Sequence, residues 1–484
     1  MNVLLSLLQK STDYNQLLKA VEAKQAVAVS GLSQAPRSHV LAAAHEQSGR
    51  PLVAVCQDDM AAKRLASELG AFLGEEPPVL PSRELTLAGA IGVSRQWEQQ
   101  RLRLLYALAQ GRVPVLVASL DALLLRTLPR QTLFSASVTL RVGAEYSMPE
   151  LIERLTRAGY SRASLVEGVG QFALRGGILD VYSPAQEKPL RAEFFGDELD
   201  TMGYFDPNTQ RRTENVDEAV LLPVAETEPH LHPQGISGLC EDLRAIIARQ
   251  QRRKTPNQAL IETLQKDCEA LENETLFASA DRYMALIYPE FTTAASYLPQ
   301  EAVVAFCDHG NLQRGEKDRA EEFGLLLDSF LTSGTLFGEL CDYYATMDDL
   351  AASLRGRAVI YCDSFLAARY PESLPPKQLL SFTARQLPGY GGSLETAAAD
   401  LKNYASNQYG SIVLCGGQRR GEILKELLAK SGLNALLSFP LTKLPQPGQI
   451  LIAGGSLPAG LEYPTLKFAI LTEGQIAVRQ ERKR

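Results

Sequence analysis

Short apolar runs alternate with longer amphipathic stretches along the first 136 residues. The apolar runs are VAVS at 27–30, PLVAV at 51–55 and VPVLVAS at 113–119, and the amphipathic stretches include 60–73 and 94–111. Continuous apolar runs of this length are typical of strands buried on both faces, whereas a repeat near 3.6 residues predicts helices. The pattern therefore predicts a parallel sheet that is covered by helices on both faces.

The pattern changes near residue 137, where strands with alternating polarity replace the continuous apolar runs. Residues 147–159, SMPELIERLTRAG, predict one helix that Ser147 caps and Gly159 ends. The segments QFALRG, GILDVYS and LRAEFFGD then predict three strands, separated by a Gly-Gly turn and a Ser-Pro turn. We therefore expect a small α+β unit at 137–217.

The α/β pattern resumes after this unit. Helical patterns dominate, and the apolar strands AVVAFC and RAVIYC interrupt them. The predicted fold class is α/β: a degenerate helicase-like parallel-sheet domain of the phosphate-loop type, interrupted by a small α+β insertion and followed by a small α/β domain. The predicted units in chain order are residues 1–136 (first half of the sheet domain), 137–217 (insertion), 218–385 (second half) and 386–484 (last α/β domain).

The first strand, turn and helix have the outline of a phosphate-binding loop, G-x-x-x-x-G-K-[ST]. The segment from Gly31 to Ser38 reads GLSQAPRS, so Pro36 replaces the second glycine and Arg37 replaces the lysine. Pro36 has no N–H to offer a phosphate, and its φ is fixed. The planar fork of Arg37 does not replace a compact ammonium inside a tight loop. We interpret the segment as a nucleotide-binding loop that has lost its function.

Asp308 is the second candidate in this predicted site, because it directly follows an apolar strand, as a Mg²⁺ ligand would. His309 stands where a water-orienting glutamate is expected. Two altered motifs at strand ends favour a degenerate nucleotide fold, although a chance strand–turn–helix is common in α/β proteins. We expect no ATP hydrolysis and no bound cofactor, while weak binding of an anion or a nucleotide at the helix start stays open.

Charge and cysteine content narrow the function classes. The formal net charge is −7 and the pI is near 5.5, which argues mildly against DNA as the main partner but leaves a local basic patch possible. Seven scattered cysteines without a C-x-x-C pair predict buried thiols in a reducing cytoplasm, with no disulfide framework and no metal site. No apolar run reaches 18 residues, so we expect no membrane partner.

Strand alternation in the predicted insertion singles out three residues. In LRAEFFGD, Arg191, Glu193 and Phe195 share one face, opposite the apolar residues. Arg175 ends the FALR strand on the face opposite its apolar neighbours. Arginine and aromatic residues on an exposed sheet face are typical of protein-interface hot spots. In the alternative interpretation, Arg191 and Glu193 form a solvated pair and Phe195 packs under a loop.

The same segment carries a family resemblance. The stretch RGGILDVYSPAQEKPLRAEFFGDELDTM at 175–202, with SMPELIERLTRAGYSR at 147–162, resembles the small domain shared by the excision-repair protein UvrB and the bacterial transcription-repair coupling factor. The signature is R-G, three apolar residues, D, two apolar residues, x and P, followed by R-x-E-F-F-x-D-E. The predicted order of domains extends the resemblance to essentially the whole chain.

Two departures from the UvrB pattern point to the N-terminal region of the coupling factor. UvrB would have an intact phosphate loop and a long aromatic-rich hairpin, whereas the segment at 77–100 is short and has Trp97 as its single aromatic residue. The resemblance implies a non-catalytic, cytoplasmic adaptor that recruits UvrA to stalled transcription complexes. In the full-length family protein, an ATP-dependent DNA translocase, the motor and the RNA-polymerase-binding domain would lie beyond residue 484, and the further partners would be RNA polymerase and double-stranded DNA.

The resemblance also assigns partner contacts. The UvrA-contacting arginines of the family fall on Arg175 and Arg191, and the contacting aromatic residue falls on Phe195. Two other functions stay open: an ATP-dependent, DNA-binding helicase subunit like UvrB, and a non-specific DNA-binding scaffold. Further basic residues near the predicted helix are either supporting charges at the interface or a solvated face; they are Arg154, Arg157 and Arg162.

Overall fold

The structure is a computed structural model that describes residues 2–88, 96–273, 277–367, 369–390 and 393–476. The predicted helix at 94–111 and the segment at 77–100 therefore lie partly outside the described residues.

The described residues of the first part of the chain form four strands and seven α-helices. The strands β1, β2 and β4 are buried along their whole length, as their continuous apolar runs predict. Helix α4 begins after Asp58, whose side chain accepts the N–H of Ala61, and it ends at Gly74 with a positive φ. The elements are α1 (Asn2–Ser6), α2 (Thr12–Glu22), β1 (Ala26–Ser30), α3 (Gln34–Ser48), β2 (Leu52–Cys56), α4 (Asp59–Leu73), β3 (Val79–Leu80), α5 (Gln96–Ala109), β4 (Val115–Ser119), α6 (Leu120–Leu124) and α7 (Arg130–Ala136).

The next segment contains eight short strands and one helix. Ser147 directly precedes the helix, but its side chain accepts no capping bond, so the predicted capping bond is wrong. The strand Glu218–Leu221 pairs antiparallel with Val138–Arg141, so the chain returns to the start of this segment at its end. The elements are β5 (Val138–Arg141), α8 (Met148–Arg157), β6 (Ser161–Arg162), β7 (Gln171–Arg175), β8 (Ile178–Val181), β9 (Leu190–Phe195), β10 (Glu198–Phe205), β11 (Arg212–Asn215) and β12 (Glu218–Leu221).

Helices dominate the third segment, as the sequence predicts, and two of its strands are buried throughout. Its elements are α9 (Gly235–Gln251), α10 (Gln258–Glu272), α11 (Met284–Ile287), β13 (Val303–Cys307), α12 (His309–Thr332), α13 (Met347–Ser353), β14 (Ala358–Cys362) and β15 (Gln378–Ser381). The last segment consists of β16 (Arg385–Gln386), α14 (Leu394–Ser406), β17 (Gly410–Cys415), α15 (Gln418–Lys430), β18 (Ala435–Ser438), β19 (Ile450–Gly454), β20 (Leu461–Tyr463), β21 (Phe468–Thr472) and α16 (Glu473–Ile476).

Strand order defines three larger sheets. The first has the order β15-β1-β14-β13-β2-β4-β3, and all of its strand pairs are parallel. The second, β11-β10-β9-β8-β7-β6, is mostly antiparallel, and the third is β16-β20-β21-β17-β19-β18. The α/β class and the parallel sheet are confirmed. Because the carboxyl ends of parallel strands meet at one edge, β1, β14 and β13 bring their following residues together.

The last sheet and the seven-stranded sheet share one apolar core, which includes Val27 and Ile360 as well as Ile412 and Phe468. At this junction His39 of α3 is fully buried. Its Nε2 lies 3.0 Å from the carbonyl oxygen of Leu4, and its Nδ1 lies 2.9 Å from the hydroxyl of Tyr463. Because the carbonyl can only accept, Nε2 donates and Nδ1 accepts. Burial of this neutral ring lowers the pKa of His39 to about 4.

A buried ion pair joins the segment after β12 to the first part of the chain. Arg101 of α5 and Glu226 are both fully buried. The Nε of Arg101 lies 3.0 and 3.1 Å from the two carboxylate oxygens of Glu226, and its Nη1 donates to the carbonyl oxygens of Pro81 and Ala122. Arg83 extends the network, since it lies 3.7 Å from the Glu226 carboxylate. The segment that follows β12, where the chain leaves the inserted unit, is therefore fixed to α5 by a buried ion pair.

We expect that Arg101→Met destabilises the protein by about 3–5 kcal/mol, because the buried carboxylate of Glu226 would lose its hydrogen-bonded counter-ion and keep only the more distant Arg83. The exposed pair Arg249–Glu339, 3.1 Å apart, provides the matched control. Arg249→Met should cost about 1 kcal/mol or less. Denaturant unfolding measures the free energy of unfolding of both variants. If both variants lost about 1 kcal/mol or less, the central role of the Arg101 pair would be contradicted.

The buried His39 predicts a pH dependence of stability. Its pKa of about 4 lies below the ordinary value of 6.5, so the unfolded chain binds more protons between these values. The stability that the neutral ring contributes is complete above pH 6.5 and is lost as the pH falls toward 4. The free-energy difference between the wild type and His39→Gln should shrink by about 2 kcal/mol from pH 7.5 to pH 5. Unfolding curves at the two pH values test this, and an unchanged difference would show that His39 is not the titrating group.

Candidate functional site

The second sheet has one covered face and one partly open face. Its inner face packs against Leu151 and Leu155 of α8. The outer face is covered at one end by a small cluster around Val166 and Phe205, and it is open at the other end. We call the open part the Phe195 face; it consists of Arg175, Ile178, Arg191, Glu193 and Phe195.

Phe195 is the last residue of β9, and its side chain is 85% exposed. Gly196 follows with φ +65°, which turns the chain directly into β10. Ile178 of β8 pairs with Glu193 on the same face and is itself 37% exposed. The alternative in which Phe195 packs under a loop is therefore wrong. A largely exposed aromatic ring and a partly exposed aliphatic side chain therefore lie on the surface of this face.

Both predicted arginines bind one buried carboxylate. Asp180 of β8 is 1% exposed. Its two oxygens accept from Nε and Nη2 of Arg191 at 2.7 and 2.9 Å, and one of them accepts from Nη2 of Arg175 at 2.8 Å. The pairing of Arg191 with Glu193, the other part of that alternative, is also wrong, because Glu193 lies 3.7 Å from Arg212 instead.

The two arginines differ in how many of their N–H groups are hydrogen-bonded within the protein. Arg191 also donates to the carbonyl and the side chain of Gln210, and its guanidinium stacks 4.5 Å from the ring centre of Phe205. The hydrogen bond to Asp180 raises the pKa of Arg191, so it stays charged. The Arg175 side chain is 53% exposed, and Asp180 is its bonding partner within the described residues. Arg175 therefore presents donors to solvent, whereas Arg191 mainly supports the face.

The supporting arginines that the sequence suggests do not join this face. Arg154 and Arg157 lie on α8, whose apolar side packs on the opposite face of the sheet, and Arg154 donates to the carbonyl of Ser137. Arg162 lies on β6, the edge strand farthest from β11. Sequence reasoning missed Ile178 and Asp180; a signal for Asp180 is an acid within the otherwise apolar run ILDV.

The segment that the sequence predicts as a phosphate loop, Gly31 to Ser38, is mostly helical. Helix α3 begins at Gln34, so Pro36 and Arg37 already belong to its first turns. Gly31 keeps a positive φ of 79°, and a Cβ there would lie 2.0 Å from the carbonyl oxygen of Phe382. The hydroxyl of Ser38 is buried and bonds the carboxylate of Glu68 at 2.5 Å. The hydroxyl that would bind Mg²⁺ in a phosphate loop is therefore already bonded within the protein.

Arg37 and Asp308 line one cavity of about 430 Å³ at the carboxyl edge of the parallel sheet. Gln386 lines it too, and its side-chain oxygen accepts the N–H of Ala35 at the start of α3. Asp308 has a positive φ of 65°, and its carboxylate accepts from the side chain of Asn311 at 2.8 Å. The structure thus brings Arg37 and Asp308 together, but the last segment occupies the helix start between them.

The residues around Asp308 are buried rather than available for catalysis. His309 is fully buried; its ring stacks on Tyr370, its Nε2 donates to the carbonyl of Arg369, and burial lowers its pKa to about 4. Asp363, which follows β14, is 2% exposed, and burial raises its pKa to about 6. His309 therefore packs in the core instead of orienting water.

Comparison with known proteins gives two consistent matches. Residues 138–226 match the model of the UvrB interaction domain. The chain is 23% identical over 485 residues to the transcription-repair-coupling factor of Bacillus subtilis and 25% identical over 488 residues to that of Staphylococcus aureus. Each match covers 99% of this chain, which spans 40% of the length of these relatives. The resemblance to the coupling factor is confirmed. Within the described residues, no helix is long and apolar enough to cross a membrane.

We expect no Mg²⁺-dependent nucleotide binding at the Arg37–Asp308 cavity, because Ser38 is bonded to Glu68 and Gln386 takes the N–H of Ala35. Titration of a fluorescent ATP analogue with and without Mg²⁺ measures this directly. Tight binding that requires Mg²⁺ and is lost in Asp308→Ala would contradict the expectation.

Proposed function

We propose that this chain is a non-catalytic adaptor that binds UvrA through the Phe195 face. The observation that carries the proposal is the 85% exposure of Phe195 on the same sheet face as Arg175, within the segment that matches the UvrB interaction domain. Burial of a large exposed aromatic ring is favourable in an interface, and arginine and aromatic residues are enriched among interface hot spots.

The residues of the Phe195 face contribute to binding in different ways. Phe195 and Ile178 supply apolar area at the centre, where interface hot spots are concentrated. Arg175 keeps free N–H donors for a carboxylate or a carbonyl of the partner, and charge-assisted bonds of this kind are the stronger ones. Arg191 is mainly bonded to Asp180 and Gln210, so its contribution to the partner is mostly indirect.

The relatives named transcription-repair-coupling factor suggest the setting of this interaction. We propose that the chain acts in transcription-coupled DNA repair in the cytoplasm and recruits UvrA to stalled transcription complexes. RNA polymerase, double-stranded DNA and ATP-driven translocation are proposed for the whole protein, of which this chain corresponds to 40% in the relatives.

We further propose that the chain is organised as a degenerate helicase-like domain, at 1–136 and 218–385, that surrounds the UvrA-binding unit and is followed by a last α/β domain at 386–484. The seven-stranded sheet takes strands from both sides of the inserted unit, which supports this division. An active UvrB-like ATPase is less consistent with the bonds of Ser38 and Gln386. A DNA-binding scaffold is less consistent with the net charge of −7.

We expect that Phe195→Ala and Arg175→Ala each weaken binding to UvrA by about 2 kcal/mol or more, because each removes an exposed anchor. The control is Phe365→Ala, which removes a ring that is 87% exposed outside the second sheet. Isothermal titration of the 484-residue chain with UvrA measures the affinities. If Phe195→Ala and Phe365→Ala both bind like the wild type, the Phe195 face is not the interface.

A further inference from the structure

We infer that Asp180 is a positioning residue of the UvrA-binding surface, which orients Arg175 toward the partner. The inference rests on the proposed function and deepens it, because it names a buried residue that acts on the interface without touching the partner. The observation behind it is the contact of one carboxylate with both arginines of the Phe195 face.

The strand register brings these three side chains together. Asp180 of β8 lies opposite Ala173 of β7 and opposite Arg191 of β9. Arg175 lies two residues beyond Ala173 on β7, so its side chain must reach back along the sheet to meet Asp180. The 2.8 Å bond between Arg175 Nη2 and Asp180 Oδ2 is therefore what holds this side chain against the sheet.

The burial of Asp180 makes the arrangement rigid. A carboxylate that is 1% exposed must keep its hydrogen bonds, because a buried charge without a partner is strongly unfavourable. Arg191 supplies two of these bonds and is itself fixed by Gln210 and by stacking on Phe205. Asp180 therefore has a fixed position, and its hydrogen bond to the more exposed Arg175 restricts the conformation of that side chain.

Arg175 depends on this contact more than Arg191 does. Its other N–H groups have no partner within the described residues, and 53% of its side chain is exposed. Without Asp180 the long side chain would sample many rotamers, and the partner would have to restrict them on binding. A fixed guanidinium on the same face as Phe195 presents its donors in one geometry before the partner arrives.

Positioning and simple charge attraction predict opposite results for one substitution. Asp180→Asn removes a negative charge from beneath two arginines, so charge alone would strengthen binding to an acidic partner surface. Positioning predicts weaker binding, because the neutral amide holds the guanidinium of Arg175 less firmly. Glu218→Gln is the matched control, since it also removes one carboxylate that pairs with an arginine, and the Arg141–Glu218 pair lies on the separate β5–β12 sheet, outside the Phe195 face.

The test is isothermal titration of the 484-residue chain with UvrA, using single and double variants. Asp180→Asn should bind about tenfold more weakly than the wild type, and Glu218→Gln should bind like the wild type. In the Arg175→Ala background, Asp180→Asn should cause little further loss, because its effect passes through Arg175. A general structural defect would instead weaken binding by the same factor in both backgrounds.

Thermal unfolding of each variant checks the fold. If Asp180→Asn does not fold, Asp180→Glu provides the test, since it keeps the charge and moves the carboxylate by one methylene; it should also lose affinity only where Arg175 is present. Binding by Asp180→Asn at or above wild-type affinity, with Phe195→Ala still weakened, would overturn this inference alone. Failure of the wild type to bind UvrA would overturn both this inference and the proposed function.

Discussion

The buried ion pair between Arg101 and Glu226 is the constraint on which the arrangement of this molecule depends. Two charges inside an apolar core are tolerated only together, and here both side chains are fully buried and Arg101 also donates to the carbonyl oxygens of Pro81 and Ala122. Because Arg101 lies on α5 and Glu226 follows β12, the pair holds the exit of the inserted unit against the seven-stranded sheet. The second sheet can then present one face to solvent from a rigid base.

The Phe195 face also depends on a buried carboxylate that is paired with arginine. Asp180 is a buried acid that two arginines neutralise, and its position fixes the two arginines on this face. Phe195 and Ile178 are the exposed apolar side chains of the face, and Arg175 has guanidinium donors exposed to solvent. All of these residues lie on three neighbouring strands, so the sheet itself fixes their relative positions.

The segment from Gly31 to Ser38 after β1 is held by contacts within the chain. Gly31 has a positive φ at the turn after β1, and the close approach of Phe382 excludes a side chain there. The hydroxyl of Ser38 bonds the carboxylate of Glu68, and the side chain of Gln386 from the last segment accepts the N–H of Ala35 at the start of α3. The carboxyl edge of the parallel sheet therefore packs against the last segment at this point.

The sequence by itself determined the element types, the parallel sheet and the face of the second sheet on which Phe195 lies, because strand burial and side-chain alternation are local properties of the chain. It left the burial of Phe195 open, since a loop that covers a sheet face can come from any part of the chain. Only the tertiary structure decided that Arg191 binds Asp180 rather than Glu193, that α8 with Arg154 covers the opposite face, and that Gln386 meets Ala35. These contacts join residues on different strands or more than 300 positions apart, and local periodicity carries no information about which distant groups meet.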